Sequence, residues 1–180
     1  MEQPVISLDD DRFLSLRHAV LAGNVPYIER TLPQVPSINA LYGDASDAET
    51  LLHLAAYHGR TNVARSLLDH GADINCCNRN RFGHYTALHG AAMSVRTDMI
   101  RFLLDAGADI HAQRYEVGTA LKSVLHHVAP GRTLTRHRVA IAMLLDAGLD
   151  INEPRWEWGQ GTLVSPLFAR TSFSLFKTAD

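Results

Sequence analysis

The sequence reads TALHGAA at residues 86–92 and LLDAGADIH at residues 103–111. The same two strings occur earlier and later in the same order, as TLLHLAA at 50–56 with LLDHGADIN at 67–75, and as TALK at 119–122 with LLDAGLDIN at 144–152. The threonines that open the copies, Thr50, Thr86 and Thr119, stand 36 and 33 residues apart. A unit that returns at this interval predicts a stack of repeats, each of which buries its apolar face against the next.

Each part of the unit has a physical reason. Threonine before an apolar turn is a preferred helix N-cap, since its hydroxyl accepts a hydrogen bond from a free backbone N–H. The alanine pairs at 55–56 and 91–92 allow close helix packing, and the apolar residues at 63, 67 and 68 have helical spacing. Gly71, Gly107 and Gly148 follow the second apolar stretch, where glycine favours a left-handed C-cap. We therefore predict a helix, a turn, a second helix and a loop in every unit.

Weaker copies flank these three. When Gly23 is aligned with Gly59, the segment 13–32 becomes an N-terminal repeat that lacks the threonine and histidine of the others, as capping repeats often do. Ser165-Pro166-Leu167-Phe168 resembles the start of a fifth unit. The end of the sequence at Asp180 leaves two interpretations open, a degenerate cap or part of a longer array.

These motifs resemble the ankyrin-repeat family over roughly residues 14–176. The resemblance implies an all-α ankyrin-repeat solenoid with protruding inter-repeat loops, and a role in binding another protein. We expect one domain over residues 1–180. Its expected units are a degenerate N-terminal cap at about 13–45, repeats at 49–84 and 85–118, a repeat with an insertion at 119–158, and an incomplete C-terminal unit at 162–180.

Composition narrows the function classes. Seventeen Lys and Arg balance 19 Asp and Glu for a net charge of −2, so the overall field does not favour nucleic acid or an anionic membrane. Cys76 and Cys77 are neighbours, a geometry that seldom forms a disulfide, and no signal peptide or apolar membrane span precedes them. We expect a cytoplasmic monomer, with nuclear use or export as an effector left open.

The copies differ mainly in their loops. The segment 76–85 is three residues longer than its equivalent after Ile110, and the fourth repeat carries an insertion with Pro130, Gly131 and several basic residues. The loop 41–49 contains three acidic residues and is expected to lie in solvent. Insertions between repeats are common places for specialised function.

By the resemblance, partners contact the loop tips and the groove that the first helices line. Arginine and aromatic residues dominate binding hot spots, and these loops are rich in both. The expected contact residues at the tips are Tyr42, Arg79, Arg81, Phe82, Tyr85, Arg114, Tyr115, Arg155, Trp156 and Trp158, and those in the groove are Tyr57, His58, Met93, His126 and His127. An alternative for Trp156 and Trp158 is that they fold back over the end of the stack.

The histidines allow several interpretations. By the resemblance, His53 and His89 tie neighbouring repeats together. His58, His126 and His127 suggest a metal site or a pH-sensitive surface, but no carboxylate or cysteine stands at ligand spacing beside them, so we predict no metal and no cofactor. The favoured interpretation is that they are solvated polar residues of the groove. Lys122 replaces the usual histidine, either as a lysine whose stem packs or as a displaced catalytic lysine.

Two further hypotheses remain. An unusual enzyme or small-molecule binder would use a pocket formed by His126, His127, Lys122 and Trp158, although no motif of a recognised catalytic class occurs in the sequence. Asn75 resembles the ankyrin-loop positions that eukaryotic asparaginyl hydroxylases modify. The alternative for Asn75 is a side chain that hydrogen-bonds the loop backbone.

Overall fold

Paired α-helices make up most of the regular structure. The computed structural model describes residues 5–6, 11–43, 47–80, 84–112, 118–126 and 135–150. Within these ranges the helices form four consecutive pairs: α1 Asp11–Ala22 with α2 Val25–Thr31, α3 Leu51–Tyr57 with α4 Thr61–Asp69, α5 Ala87–Met93 with α6 Thr97–Asp105, and α7 Ala120–His126 with α8 Thr135–Asp146. A short 3₁₀ turn, Leu32–Gln34, follows α2. The predicted helix–turn–helix stack is confirmed.

The predicted N-caps explain where two first helices begin. The Thr50 hydroxyl accepts a hydrogen bond from the backbone N–H of His53 at 3.1 Å, which fixes the first turn of α3. At α5 the side chain of the third helical residue also bonds back to the N-cap residue, since the Thr86 N–H donates to Nδ1 of His89 at 3.3 Å. Thr50 and Thr86 are both buried, so these bonds satisfy groups that water does not reach.

The helices stack in two rows. In the inner row α1 packs on α3, α3 on α5 and α5 on α7; in the outer row α2 packs on α4, α4 on α6 and α6 on α8. Ala55 and Ala91 of the inner row are fully buried, which is how the small side chains let neighbouring helices approach. Leu67, Leu103 and Leu144 fill the space between the rows and are also fully buried.

Polar contacts join neighbouring helices of the outer row as well. The Ser66 hydroxyl on α4 donates to the Glu29 carboxylate on α2 at 2.9 Å. On the other side of α4, the guanidinium of Arg65 lies 4.8 Å from the ring centre of Phe102 on α6. A cation over an aromatic face is attracted by the negative face of the ring. Helix α4 therefore makes specific side-chain contacts with both of its neighbours in the outer row.

A small sheet joins the loops of the first two repeats. Its strand order is β1 Val5–Ile6, β2 Leu41–Gly43, β3 Asp47–Glu49 and β4 Arg79–Asn80, with β1 parallel to β2 and the other pairs antiparallel. The register sets Ile6 beside Tyr42 and Ala48 beside Arg79. Strands of two or three residues are too short for an alternating pattern to reveal in the sequence.

Two expectations about this region are wrong. We expected the loop 41–49 to lie in solvent, but Leu41, Gly43 and Ala48 are buried, while Asp47 is exposed. Tyr42 was expected at a loop tip as a contact residue, yet its side chain is 2% exposed and belongs to the core. The reason is that β2 is the strand between β1 and β3 rather than a free tip, and its Tyr42 side chain packs in the hydrophobic core.

The turn between the two helices requires a left-handed backbone. Gly59 adopts φ +67° there, and Val95, at the equivalent position of the next repeat, adopts φ +51°. A β-branched residue is strained in this region, at a cost of about 1–3 kcal/mol. Val95 also packs against the core, which offsets part of this cost. The proposed unit at 162–180 lies outside the described residues, and the division of residues 1–180 into repeats stays a prediction.

Candidate protein-binding surface

Equivalent ends of the inner helices carry three of the expected groove residues. Tyr57 ends α3, Met93 ends α5 and His126 ends α7. The Tyr57 side chain is 40% exposed, a large value for an aromatic residue, and Met93 is half-buried. The structure therefore places Tyr57 and Met93 in neighbouring repeats on one face. It describes the backbone of His126 at the matching position.

His58 caps the C-terminal end of α3 and lies in a positively charged setting. Its ring packs edge-on against the Tyr57 ring, with centroids 5.2 Å apart. Burial lowers the pKa of His58 from its ordinary value, and the positive charges of Arg96, Arg17 and Arg60 lower it further, while the Glu49 carboxylate acts in the opposite direction. The neutral imidazole is thereby favoured.

The next loop is fastened at its base by a buried asparagine that the sequence analysis did not single out. The Asn78 backbone N–H donates to the Tyr85 carbonyl at 2.8 Å, and its side-chain oxygen accepts from the Tyr85 N–H at 2.6 Å. Tyr85 is half-buried, and its ring lies edge-on to His89 with centroids 6.2 Å apart. Arg79, the expected contact residue of β4, is half-buried.

Asn78 also reaches back to the preceding repeat through His53. The Asn78 amide lies 3.4 Å from Nε2 of His53, and Nδ1 of the same ring lies 3.3 Å from the Glu49 carboxylate. An amide N–H₂ only donates, so Nε2 accepts and Nδ1 carries the proton toward Glu49. The sequence shows Asn78 only as a polar residue near the start of the longer loop segment 76–85. This does not predict that its side chain is buried.

His89 forms the equivalent connection one repeat later. Its Nε2 lies 3.0 Å from the Gly118 carbonyl oxygen, 29 residues along the chain. Since Nδ1 accepts the Thr86 N–H, Nε2 carries the proton and donates it to Gly118. His53 and His89 thus use their rings to join successive repeats.

A series of hydrogen bonds, which we call the loop ladder, connects the segments that follow the outer helices. The Asn39 side-chain oxygen accepts from the Asp73 N–H at 2.9 Å, and the Asn75 side-chain oxygen accepts from the Asp109 N–H at 2.8 Å. Within each loop the aspartate accepts from the residue two positions later, Asn75 or His111, at 2.9 Å. The two connections between loops span the same 34 residues.

Comparison with known protein families agrees with this arrangement. A family model described as ankyrin repeats in three copies matches residues 16–114, more than half of the chain. The chain belongs to the ankyrin-repeat family. Ankyrin repeats are generally protein–protein interaction modules. No curated protein matches this chain.

The fourth ankyrin repeat departs from the others at Lys122. The lysine stem lies over Gly118, since a Cβ built on that glycine would come within 2.9 Å of Cδ of Lys122. Lys122 is half-buried, which places its alkyl stem against the protein as one of the two interpretations expects. The buried hydroxyl of Thr119 has no hydrogen-bond partner among the described residues. The lysine stem thus packs at the position where the second and third ankyrin repeats have a histidine ring.

Several predicted contact residues of this ankyrin protein lie outside the described residues, namely Arg81, Phe82, Arg114, Tyr115, His127, Arg155, Trp156 and Trp158. The pocket of His126, His127, Lys122 and Trp158 therefore stays a prediction. Among the described residues, no three His, Cys, Asp or Glu side chains come together as a metal site. In the same ranges, no helix has the length and apolar character needed to cross a membrane.

Proposed function

We propose that this chain is a non-enzymatic module that binds a partner protein through the groove of its inner helices and through its loop tips. The observation that supports the proposal most strongly is the 40% exposure of Tyr57 on the inner row. A tyrosine in such a position offers apolar area and a hydroxyl at low entropic cost, as binding hot spots do. Met93 extends the same face into the next repeat.

Rigidity of the inner row supports the proposal. The rings of His53 and His89 connect successive repeats, and the alanines of α3 and α5 pack without exposed surface. A surface that is ordered before binding loses less conformational freedom when the partner arrives. The groove residues Tyr57, His58 and Met93 are therefore held in place by the fold itself.

The proposed contact surface continues to the loop tips. Arg79 and Tyr85 flank the tip of the longer loop, and the hydrogen bond between Asn78 and Tyr85 fixes the base of that loop. The tip residues proposed from the sequence alone are Arg81, Phe82, Arg114, Tyr115, Arg155, Trp156 and Trp158. Together with His126 and His127 on the groove side, they make up the rest of the proposed surface.

The proposal is tested by crosslinking from the proposed face. A photo-reactive phenylalanine analogue is placed at position 57, and in a control protein at position 101, where the exposed Arg101 lies on the outer helix α6. The 57 protein should crosslink a specific partner in cell extract, identified by mass spectrometry, and the 101 protein should not. Equal yields from both positions would contradict a binding face on the inner row.

A second variant tests the loop tips. Simultaneous alanine substitution of Arg81, Tyr115 and Trp156 should weaken capture of the partner that crosslinks to position 57. Circular dichroism checks that the triple variant remains folded. If the folded variant captures the partner at full strength, the tips do not contribute to binding.

We also propose a cytoplasmic monomer that acts as one ankyrin-repeat domain over residues 1–180. The sequence supports the cellular setting, because the neighbouring residues Cys76 and Cys77 have a geometry that seldom forms a disulfide and reduced thiols are usual in the cytosol. Light scattering coupled to size-exclusion chromatography measures the mass in solution. A mass near 19.9 kDa supports the monomer, and twice that value contradicts it.

A further inference from the structure

Two arginines lie at turns that connect inner and outer helices, and a third, on an inner helix, acts electrostatically on the same histidine. Arg60 and Arg96 are equivalent residues of successive repeats, each the N-cap of its outer helix, α4 or α6. Arg17 lies on the neighbouring inner helix α1. Together with His58 they form what we call the basic turn surface. The turns follow the C-terminal ends of the inner helices, whereas the loop tips precede the N-terminal ends, so the two surfaces lie about 10 Å apart along α3.

The structure holds Arg96 in a defined position. Its Nε donates to the Tyr57 carbonyl at 3.3 Å, which connects the third repeat to the second. Its side chain crosses over Gly59, as a Cβ built on that glycine would lie 3.1 Å from Cδ of Arg96. Arg96 is nevertheless an exposed residue. One guanidinium nitrogen is therefore occupied by the protein and the rest of the group faces solvent.

The charge of this surface is concentrated. Arg96, Arg17 and Arg60 each lower the pKa of His58 electrostatically, and among the described residues the Glu49 carboxylate opposes them with a larger effect than any one arginine. Among the described residues, none of the three arginines forms an ion pair with an Asp or Glu side chain. Unpaired guanidiniums that repel one another gain most from an incoming carboxylate, which they bind with two parallel hydrogen bonds.

The surface also has room for a ligand side chain. An open depression of about 340 Å³ lies between the first two turns, lined by Gly23, Gly59 and the segment Arg60 to Val63. Tyr57 borders the same group of residues, because its ring packs against His58 and its backbone carbonyl accepts from Arg96. Cationic, aromatic and concave features therefore adjoin one another.

We propose that the basic turn surface docks a short acidic segment of the partner protein, with Arg60 and Arg96 binding successive carboxylates. The inference rests on the proposed function, since it assumes a protein partner. Packed helices in neighbouring repeats lie about 8–10 Å apart. In a polyproline II segment, residues three apart lie on the same side at about the same distance, at roughly 3.1 Å per residue. Acidic residues at every third position thus match the helix spacing that separates the backbone positions of Arg60 and Arg96.

A protein segment fits this surface better than nucleic acid does. Nucleic-acid binding relies on an extended positive field that neutralises many phosphates. Here the positive charge is local, and the chain as a whole carries −2. The complement of a small basic cluster on such a protein is a short acidic stretch, with the aromatic ring of Tyr57 supporting its apolar atoms.

The test measures binding of a fluorescein-labelled peptide with glutamate at every third position and glycine and serine between. Its anisotropy should rise on addition of the full chain, and its affinity should fall as salt increases. A peptide with glutamine in place of glutamate should bind at least tenfold more weakly. Equal binding of both peptides, or tighter binding of a labelled single-stranded oligothymidine, would overturn the proposal.

Variants locate the binding. The double variant Arg60→Glu, Arg96→Glu should weaken binding of the acidic peptide at least tenfold. Arg60→Gln alone should weaken this binding less, because it leaves the Arg96 contact intact. Arg101→Glu, the same charge change on the outer row, should stay within twofold of wild type. Circular dichroism confirms that each variant is folded. An equal loss in Arg101→Glu would show general electrostatic attraction rather than docking at the turns.

A spectroscopic measurement provides an independent readout. The pKa of His58, followed by its ring proton resonances, should rise when the acidic peptide binds, because the new carboxylates favour the imidazolium. The glutamine peptide should leave it unchanged. If the protein with the analogue at position 57 captures a partner equally well when it also carries Arg60→Glu and Arg96→Glu, this inference is wrong, whereas the proposal of a protein-binding module is supported. Absence of any crosslinked partner contradicts the module itself.

Discussion

The side-chain oxygen of Asn75 accepts a hydrogen bond from the backbone N–H of Asp109, 34 residues away, at 2.8 Å. Removing the acceptor in Asn75→Ala should lower the free energy of unfolding by about 1 kcal/mol, since the bond lies in an exposed loop. Urea denaturation measures the change. Asn62→Ala on the exposed face of α4 is the control and should differ from wild type by less than about 0.5 kcal/mol. Equal effects of the two substitutions would contradict a role for the loop ladder in stability.

The same residue is the predicted site of hydroxylation. Since the Asn75 side chain is engaged with Asp109, a hydroxylase acts on it only after this loop opens. In protein produced in a eukaryotic host, we expect mass spectrometry to find one added oxygen on the peptide that contains Asn75. The Asn75→Ala protein serves as the control, and an unmodified wild-type peptide would refute the prediction.

Gly90 should resist the substitution that usually stabilises a helix. Alanine in place of glycine inside a helix normally gains about 1 kcal/mol. Here a Cβ would lie 2.9 Å from Nε2 of His53, the atom that accepts from Asn78. Gly90→Ala should therefore destabilise the protein by about 1–3 kcal/mol through overpacking.

A double-mutant cycle with His53→Ala tests the cause of this effect. Once the ring is removed, the new methyl group of Gly90→Ala no longer meets the imidazole, and the loss of unfolding free energy should disappear or change sign. Both single variants and the double variant are compared by urea unfolding. An unchanged cost in the His53→Ala background would assign the effect to something other than the imidazole.

The turn position offers a comparison between two repeats. Gly59→Val should lower the free energy of unfolding by about 1–3 kcal/mol, because Gly59 has φ +67° and a side chain there also meets Arg96. Val95→Gly should change stability by less than about 1 kcal/mol, as relief of backbone strain is balanced by the lost packing of Val95. Thermal and urea unfolding measure both, and equal losses would contradict the left-handed turn as the cause.

His58 should make stability depend on pH in a definite direction. Because its native pKa is lowered while the unfolded value stays near 6.5, the unfolded chain binds more protons as the pH falls below about 6.5. Stability contributed by the neutral ring is present above that pH and is lost as the pH falls toward the native pKa. His58→Gln should therefore lose less stability than wild type between pH 8 and pH 5.5 in urea unfolding. A steeper loss in the variant would contradict the sign.

Much of the fold follows from short-range pattern. The threonine caps and the spacing of leucines such as Leu67 and Leu103 act locally or between adjacent units, so their repetition predicts helices and stacking together. Tyr42 shows the limit of this approach, because the strand that carries it pairs with residues 5–6, more than thirty residues earlier. Strands β1 and β2 are both too short for their sequences to predict this pairing.

The candidate surface was predictable in part for the same reason. The positions of Tyr57 and Met93 follow from their place in the repeat, and the structure puts both at equivalent helix ends. The convergence of Arg17, Arg60 and Arg96 on His58 does not follow from one repeat, since it involves three different units. Asn78 is likewise recognised only when its partners His53 and Tyr85 are seen on either side of it.

The loop ladder has a direction. At each connection between loops the acceptor is an asparagine of the earlier repeat and the donor is a backbone N–H of the later one. The two ends of the stack therefore differ: in both connections the earlier repeat supplies the asparagine oxygen, and in the third repeat His111 stands at the position of that asparagine. A repeat inserted between residues 75 and 109 would be accepted if it carried both an aspartate at the donor position and an asparagine two residues later. Repeats can thus be added to the array in one orientation, and each added repeat lengthens the proposed binding face.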